Sequence, residues 1–374
     1  MPRRILILTG DAGFGHRRAA QALEAALKNL GRDDCDVNQF NPLQDPSIPD
    51  LIKQFETGYD EVVLDDPRLY QLTYEATDAP VIAQLIQEVT TNVLIKAMSK
   101  QVNDYEPDVI ITTYPAFTQA AIRAAHELKR NVPVDVVVTD LVNVHSLWFH
   151  REASLTFVPT GNVYKQALDA KLDKASVELT GLPVHPDFAD ETRDKVALRL
   201  DLGWDESTNT VLVIGSTRTR QTAAIARLLD RSGLALQIAV ASGGNSETDT
   251  QLAATTWQGK VHVYGLVKNM PEMMHAADMV VCKAGGLTVT EGLACGQPLV
   301  LYEALPGQEA GNVRYVIESG AGAWSPGPIG VLTTAYAWLS GDQSELKKCH
   351  AAAKLVGKPR AAYDIAERVL RQIA

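Results

Sequence analysis

The chain has 374 residues, of which 46% are hydrophobic and 21% charged, as expected for a globular protein with two domains of ordinary size. Its formal net charge of −10 argues against a nucleic-acid-binding surface, and no apolar run reaches the roughly 18 residues needed to span a membrane. The four cysteines are widely spaced and form no C-x-x-C pair, so we expect reduced thiols in a cytosolic protein.

The first residues predict a strand, a glycine-rich loop and a helix. Residues 4–9 are apolar enough for a buried strand, 10–16 form the loop, and 17–30 are rich in helix formers. This order is typical of the opening of a doubly wound α/β domain. The loop lacks the G-x-G-x-x-G spacing, and no clear acidic ribose ligand follows it, so we do not expect a dinucleotide site there.

An insertion over residues 41–80 predicts irregular structure, because prolines interrupt it repeatedly. Such a segment can serve as a lid or a partner surface, although its aromatic side chains are more typical of a local core. An amphipathic helix is predicted to follow over residues 81–102.

Alternating strands and helices complete the first half. The predicted strands are 109–113, 134–140, 155–159 and 177–180, with helices over 117–129 and 162–172. Folds of this kind place their chemistry in the loops at the carboxyl ends of parallel strands. Two of those loops, 112–115 and 139–148, carry suitable side chains.

Residues 181–186 predict a linker, since a glycine and two prolines continue neither a helix nor a strand. A second α/β series follows, with strands over 210–215, 236–241, 261–265, 279–282 and 298–302, and a helical tail over 329–374 that breaks at 357–359. We therefore predict an α/β protein of two Rossmann-like, doubly wound domains, 1–183 and 184–374.

The stretch from Met279 to Ala294 predicts an anion site. An apolar strand breaks at Gly285-Gly286 and a helix resumes at Leu287, so unpaired N–H groups of the first helical turn face the glycine turn. Thr288 and Thr290 add hydroxyl donors, and the carboxylate of Glu291 could accept two hydrogen bonds from a ribose. The plainer alternatives are a tight turn and a solvated glutamate.

Several motifs together resemble a known family. The segments are 13–17 (GFGHR), 138–140 (VTD) with His145 and Trp148, 180–184 (TGLPV), 283–291 (KAGGLTVTE) and 306–312 (PGQEAGN). They are similar to monogalactosyldiacylglycerol synthases and processive diacylglycerol glucosyltransferases, which are glycosyltransferase family 28-like GT-B enzymes. The resemblance implies two domains facing across a cleft, the N-terminal one (1–183) binding the acceptor and the C-terminal one (184–374) the UDP-sugar.

The resemblance also implies residue roles. His16 is the candidate base, Asp140, His145 and Trp148 line the acceptor side, and Glu291 holds the ribose. The diphosphate lies beside the glycine turn, the uracil meets the backbone near Val267, and the donor sugar meets the 306–312 segment. The implied nucleotide-sugar-binding residues are Gly15, Ser216, Val267, Lys283, Gly285, Gly286, Leu287, Thr288, Glu291, Gln308, Glu309 and Asn312.

The chain departs from the family pattern at three places, and the last of them leaves the donor sugar open between galactose and glucose. Tyr114-Pro115 stands where plant-type members have histidine-proline, and residues 215–220 (GSTRTR) replace a glycine-rich loop. Ala284-Gly-Gly-Leu287 is closer to the bacterial glucosyl pattern than to the plant galactosyl one.

The implied reaction is inverting transfer of a hexose from UDP to diacylglycerol or a related membrane lipid. We expect no metal cofactor, since the sequence lacks a suitable Asp-x-Asp pair, and a cytoplasmic, peripheral location at the inner face of the cell membrane. The alternatives are another lipid-linked or small-molecule acceptor, a UDP-sugar 2-epimerase, and a non-catalytic nucleotide-sugar-binding protein. His16 could instead merely cap the helix that follows it, and Trp148 could be a core residue.

Overall fold

The computed structural model describes residues 2–11, 14–31, 34–50, 53, 77–78, 80–128, 130–307 and 309–374. The chain divides into two compact units, and each contains a parallel sheet of six strands. The first unit comprises Met1–Pro186, Pro306–Gln308 and Arg360–Ala374, and the second comprises Asp187–Leu305 and Glu309–Pro359. This division falls after Pro186 and counts the end of the chain with the first unit, whereas the sequence predicts a boundary at residues 183–184 and a tail that belongs to the second domain.

The sheet of the first unit has the strand order β2-β1-β3-β4-β5-β6. Its strands are β1 (Arg3–Leu8), β2 (Cys35–Phe40), β3 (Val109–Thr112), β4 (Val134–Val137), β5 (Leu155–Val158) and β6 (Val177–Leu179). The helices between them are α1 (Phe14–Gly31), α2 (Pro80–Tyr105), α3 (Thr118–His126) and α4 (Gly161–Asp169).

The sheet of the second unit has the order β12-β11-β10-β7-β8-β9. Its strands are β7 (Asn209–Ile214), β8 (Leu236–Ala241), β9 (Lys260–Tyr264), β10 (Met279–Lys283), β11 (Leu299–Glu303) and β12 (Gly322–Trp324). Its helices are α5 (Asp187–Asp190), α6 (Lys195–Leu202), α7 (Thr222–Asp230), α8 (Ser246–Ala253), α9 (Met270–Ala276), α10 (Gly286–Ala294), α11 (Ala310–Glu318), α12 (Gly327–Leu339) and α13 (Ser344–Val356). The last helix of the chain, α14 (Ala361–Gln372), belongs to the first unit.

Both sheets are covered on both faces, which is why their central strands are continuous apolar runs rather than alternating ones. Residues 5–8 of β1 and 211–213 of β7 are at most 1% exposed. Helices pack on these strands to form separate apolar cores in the two units. The predicted doubly wound α/β class is confirmed.

Several element boundaries differ from those predicted. The strand predicted over 134–140 ends at Val137, so Thr139 and Asp140 lie in the loop beyond it. The tail breaks a second time before Ser344, where Gly341 and Gln343 both adopt positive φ angles. The edge strands β2 and β12 were not predicted, and most of the 41–80 insertion lies outside the described residues.

Helix α14 is held to the first unit by polar contacts as well as by packing on α1. The amide of Asn29 donates to the Tyr363 hydroxyl at 3.0 Å, and Arg368 pairs with Glu178 at 2.6 Å. Gln372 reaches the carboxylate of Asp135 in the buried strand β4 at 3.4 Å. The end of the chain therefore completes one face of the first sheet.

Candidate active site

His16 lies in the first turn of α1, and its ring is fixed by the carboxyl ends of two neighbouring strands. Its Nδ1 is 2.9 Å from the carbonyl oxygen of Thr113 and 2.7 Å from the hydroxyl of Thr139. A carbonyl oxygen only accepts, so Nδ1 carries the proton and the neutral ring presents an unprotonated Nε2. The alternative role for His16, capping of its own helix, is therefore not what the side chain does.

Aromatic rings surround the His16 imidazole. Tyr114 packs edge-on against it with ring centroids 4.9 Å apart, and the Trp148 ring lies 6.0 Å away. Trp148 is fully buried and donates its indole N–H to Asp140 at 2.7 Å. Its place in the core accords with the plainer interpretation of this tryptophan, and its link to Asp140 orients that carboxylate.

The charge state of His16 follows from this environment. Burial lowers the pKa of the imidazole, and the nearby Asp140 carboxylate and the Thr113 carbonyl offset only part of that effect. The ring is therefore neutral at physiological pH and can accept a proton at Nε2.

His145 belongs to the same loop as Asp140 and is 9% exposed. Its Nδ1 accepts the backbone N–H of Leu147 at 3.2 Å and lies 3.5 Å from a carboxylate oxygen of Asp78. Burial lowers its pKa, while Asp78 and Asp140 act to raise it. The structure thus brings His16, Asp140, His145 and Trp148 into one cluster at the end of the first sheet.

In the second unit, the glycine turn predicted as an anion site opens α10. Gly285 is the N-cap residue and has no side chain with which to cap the helix, so within the described residues the first-turn N–H groups of Gly286, Leu287 and Thr288 stay available to a ligand. Thr290 differs from the expectation, because its hydroxyl is buried and donates to the Gly286 carbonyl at 2.7 Å. Of the two threonines, only Thr288 keeps a partly exposed side chain.

A buried ion pair closes the other side of this turn. Lys283, at the end of β10, donates to Glu309 at 2.5 Å, and the two side chains are 13% and 9% exposed. The second oxygen of Glu309 accepts the N–H of Leu305 at 2.7 Å. Asn312 is also buried, and its amide donates to the Ala284 carbonyl at 2.9 Å, which holds the turn against α11.

Glu303 is a site residue that sequence reasoning missed. It lies at the end of β11, where burial raises the pKa of its carboxyl, Lys283 opposes the rise, and Glu309 adds to it. Within the described part of the chain, its buried Oε2 has no hydrogen-bond partner. The sequence signal that could have found it is an acidic residue ending a buried strand beside the glycine turn.

The segment 215–220 forms a loop braced by its neighbours. The Asn245 amide donates to the carbonyls of Ser216 and Thr219, both at 3.1 Å, and the Ser216 N–H donates to the Thr219 hydroxyl at 2.8 Å. Gly243 has a φ of +69°, and a Cβ there would lie 2.4 Å from the Gly215 carbonyl oxygen. The loops after β7 and β8 therefore approach each other too closely for any other residue at this position.

The remaining predicted residues also lie at the carboxyl edges of the sheets. Glu291 is half-buried on α10 and, with Glu309, acts to raise the pKa of the buried Cys282 thiol, after the larger effect of burial. Val267 follows β9, beside Leu266, which is 76% exposed. Gly15 lies in the first turn of α1, one residue before His16.

Two expectations are not settled by these contacts. Gln308 lies outside the described residues. Among the residues that are described, no three histidine, cysteine or carboxylate groups are arranged to hold a metal ion. The expectation of a metal-free site stays a prediction.

Comparison with known proteins gives matches over both units. A family model for monogalactosyldiacylglycerol (MGDG) synthase matches residues 16–184, and one for the glycosyltransferase family 28 C-terminal domain matches 210–315. The probable chloroplastic monogalactosyldiacylglycerol synthase of Glycine max is 32% identical, in an alignment covering 97% of this chain and 70% of the relative.

Solved structures extend the comparison to the fold. MurG of Acinetobacter baumannii aligns with a TM-score of 0.62 at 15% identity, over 99% of this chain and 100% of MurG. The calicheamicin glycosyltransferase CalG4 aligns with a TM-score of 0.63 at 15% identity, over the whole of both chains. At such low identity the likeness shows the fold alone, and it confirms the GT-B class.

Proposed function

This chain belongs to the monogalactosyldiacylglycerol synthase family, and from that premise we propose that it transfers galactose from UDP-galactose to diacylglycerol with inversion at the anomeric carbon. Family membership confirms both the resemblance noted in the sequence and the prediction of a glycosyltransferase of glycolipid synthesis. The donor, the acceptor and the catalytic groups are the parts that we propose.

The proposed base is His16, and the geometry of its ring is the observation that carries the mechanism. Nδ1 is committed to the Thr113 carbonyl, so Nε2 takes the proton of the acceptor hydroxyl as that oxygen attacks the anomeric carbon. The bond between the anomeric carbon and the phosphate oxygen breaks, and UDP leaves with the electron pair. The carboxylate of Asp140 then stabilises the imidazolium, as it acts to raise the pKa of His16.

The leaving diphosphate is proposed to lie against the start of α10. The open N–H groups after Gly285 and the positive end of the helix dipole stabilise the developing charge. Lys283 adds a cation within the same turn. This arrangement supplies positive charge without a metal ion, so chelation of divalent metals should leave turnover unchanged.

The nucleoside and the sugar are assigned to the flanking residues. Glu291, five residues after Gly286 on α10, accepts hydrogen bonds from the two ribose hydroxyls. The backbone near Val267 contacts the uracil. Glu309 accepts hydrogen bonds from donor-sugar hydroxyls, and its ion pair with Lys283 holds the carboxylate in place for that contact. Gln308 completes the sugar contacts in this proposal, and Asn312 supports the turn from behind.

Peripheral attachment to a membrane is supported by an exposed apolar stripe on α2. Ile82, Leu85 and Val89 are 42%, 64% and 51% exposed, and their spacing of three and four residues puts them on one side of the helix. Among the described helices, none combines the length and apolarity that a membrane crossing requires. We propose that this stripe contacts the membrane that supplies diacylglycerol, at its cytoplasmic face.

The proposal is tested by incubating the protein with UDP-galactose or UDP-glucose and diacylglycerol vesicles, followed by mass analysis of the lipid and the nucleotide. The expected result is hexosyl-diacylglycerol and UDP in equal amounts, with galactose preferred. An epimerised UDP-sugar together with unchanged lipid would show that the protein is an epimerase and not a transferase. Nucleotide binding without either product would identify a sensor.

A further inference from the structure

A cavity of about 420 Å³ lies in the second unit, at the opposite end of α10 from the glycine turn. Its walls come from the C-terminal ends of α10 and α13, the start of α6 and the last turn of α9. None of the residues assigned above to nucleotide-sugar binding lines it, so the proposed transferase mechanism does not use this cavity.

The lining of the cavity is basic. Five of its side chains are cationic or can become so, and no carboxylate is among the described residues that line it. The five are Arg193, Lys195, His275, His350 and Lys354.

These groups differ in how far their charge is already neutralised. Lys195 pairs with Asp278 at 2.9 Å, and Arg193 pairs with Glu191 and Asp201. Lys354 has no carboxylate within ion-pair distance among the residues that the structure describes. Its ammonium is therefore the charge most available to an anion entering the cavity.

Gln297 supplies an independent indication of a ligand. This side chain lines the cavity, is only 2% exposed, and its Oε1 has no hydrogen-bond partner in the described structure. Buried polar atoms are nearly always satisfied, so an acceptor without a partner on a residue that lines a cavity points to a donor from outside the protein. A hydroxyl group of a bound molecule meets that need.

His350 shows that the positive groups act on one another. Burial lowers the pKa of its imidazole, and the ammonium groups of Lys354 and Lys195 lower it further. Like charges held this close repel, and an anion between them relieves the repulsion. Binding of an anion should therefore raise the pKa of His350.

The plainer explanation is that the cations complement the carbonyl ends of α10 and α13, where positive charge is favourable. That explanation accounts for Lys354, in the last turn of α13, whereas α10 carries no basic residue in its own last turn. It leaves the Gln297 oxygen unsatisfied.

We propose that this cavity binds a phosphate ester, with the phosphate held by Lys354 and Lys195 and a hydroxyl group donated to Gln297. The same chemistry is offered by a soluble sugar or glycerol phosphate and by the headgroup of a phospholipid. The inference stands whether or not the chain is a galactosyltransferase.

The test compares Lys354→Gln with Lys348→Gln, an equal loss of charge on the same helix at an exposed residue that pairs with Glu345. Binding of glycerol 3-phosphate and of inorganic phosphate is measured by calorimetry with saturating UDP, so that the donor site is occupied. Loss of one charge-assisted hydrogen bond should weaken glycerol 3-phosphate binding about tenfold or more in Lys354→Gln. The control should bind as the parent does.

A second readout separates direct binding from a structural effect. Glycerol 3-phosphate should raise the pKa of His350, followed by NMR, in the parent and not in Lys354→Gln. Co-sedimentation with phosphatidylcholine vesicles containing phosphatidylserine identifies a lipid source if it depends on Lys354. The inference is overturned if neither the soluble phosphates nor the vesicles distinguish Lys354→Gln from Lys348→Gln.

Discussion

Asp135 in the first unit is fully buried and Asp278 in the second is 19% exposed; both carboxyls lie at a sheet, yet their surroundings differ. Asp135 contacts the neutral amide of Gln372, and its Oδ2 has no partner in the described structure. Asp278 is bonded to both Lys195 and Arg199, at 2.9 and 2.6 Å. Burial raises the pKa of Asp135 to about 7, whereas the two cations hold the pKa of Asp278 below its ordinary value despite burial.

The same contrast holds between the candidate site residues of the two units. In the first unit, burial lowers the pKa of His16 and keeps the ring neutral. In the second, Lys283 and Glu309 are buried as a charged pair. A neutral group can accept a proton, and fixed charges can stabilise a departing diphosphate, so the first unit is suited to base catalysis and the second to holding the donor.

The largest expected effect comes from removing the neutral base. His16→Ala should lower kcat by about 10²- to 10⁴-fold, because general-base catalysis contributes on that order. The affinity for UDP, measured by calorimetry, should stay near that of the parent. The matched control is His126→Ala, which removes an exposed histidine of the same unit, and a variant at position 16 with normal turnover would remove this residue as the base.

Removing the negative charge of Asp278 should destabilise the second unit. Asp278→Asn leaves the guanidinium of Arg199, a residue only 4% exposed, without its counterion, and should lower the free energy of unfolding by about 3 kcal/mol. Denaturant unfolding at pH 7 measures this loss. Because the folded-state pKa of Asp278 is lowered, the stability it contributes is present above its unfolded pKa and lost in acid, so the difference from the parent should shrink as pH falls.

The carboxyl of Asp135 should behave in the opposite way, because its folded-state pKa is raised. The folded-state pKa of Asp135 is raised to about 7 from 3.8, so the folded protein keeps a proton that the unfolded chain releases, and stability falls as pH rises through this window. Asp135→Asn should remove that fall and raise the free energy of unfolding at pH 8 by up to about 4 kcal/mol. The free energy of unfolding is measured for both proteins at pH 5 and pH 8. If the difference between Asp135→Asn and the parent is the same at the two pH values, the raised pKa of Asp135 is refuted.

A smaller effect is expected at the ribose. Glu291→Ala should weaken UDP binding by about ten- to a hundredfold, because two hydrogen bonds to a charged acceptor are lost. Glu318→Ala, an exposed glutamate of the second unit, is the control for the change in charge. Equal UDP affinity in the two variants would refute the role of Glu291.

The alternation of apolar strands and helices was sufficient to predict every strand of both sheets except β2 and β12, because parallel strands buried on two faces leave a strong sequence signal. The glycine turn at Gly285 was predictable for a related reason: its chemistry is local to consecutive residues. Edge strands β2 and β12 escaped prediction, since they are short or partly polar and depend on a neighbour for their pairing.

Contacts made across the fold were not predictable from one sequence. The His16 ring is fixed by Thr113 and Thr139, which are about a hundred residues away along the chain, and only the sheet order β1-β3-β4 brings them together. The place of α14 in the first unit also depends on distant partners, Glu178 and Asp135. Local patterns carry no information about such pairings.

The protonation state of His16 is the most direct test of this account, and ¹⁵N NMR of the imidazole measures it. We predict a neutral ring at pH 7 that carries its proton on Nδ1 and has a pKa below 6.5. A cationic ring at pH 7, or a proton on Nε2, would leave no lone pair for the acceptor hydroxyl and would contradict the proposed role of the first unit.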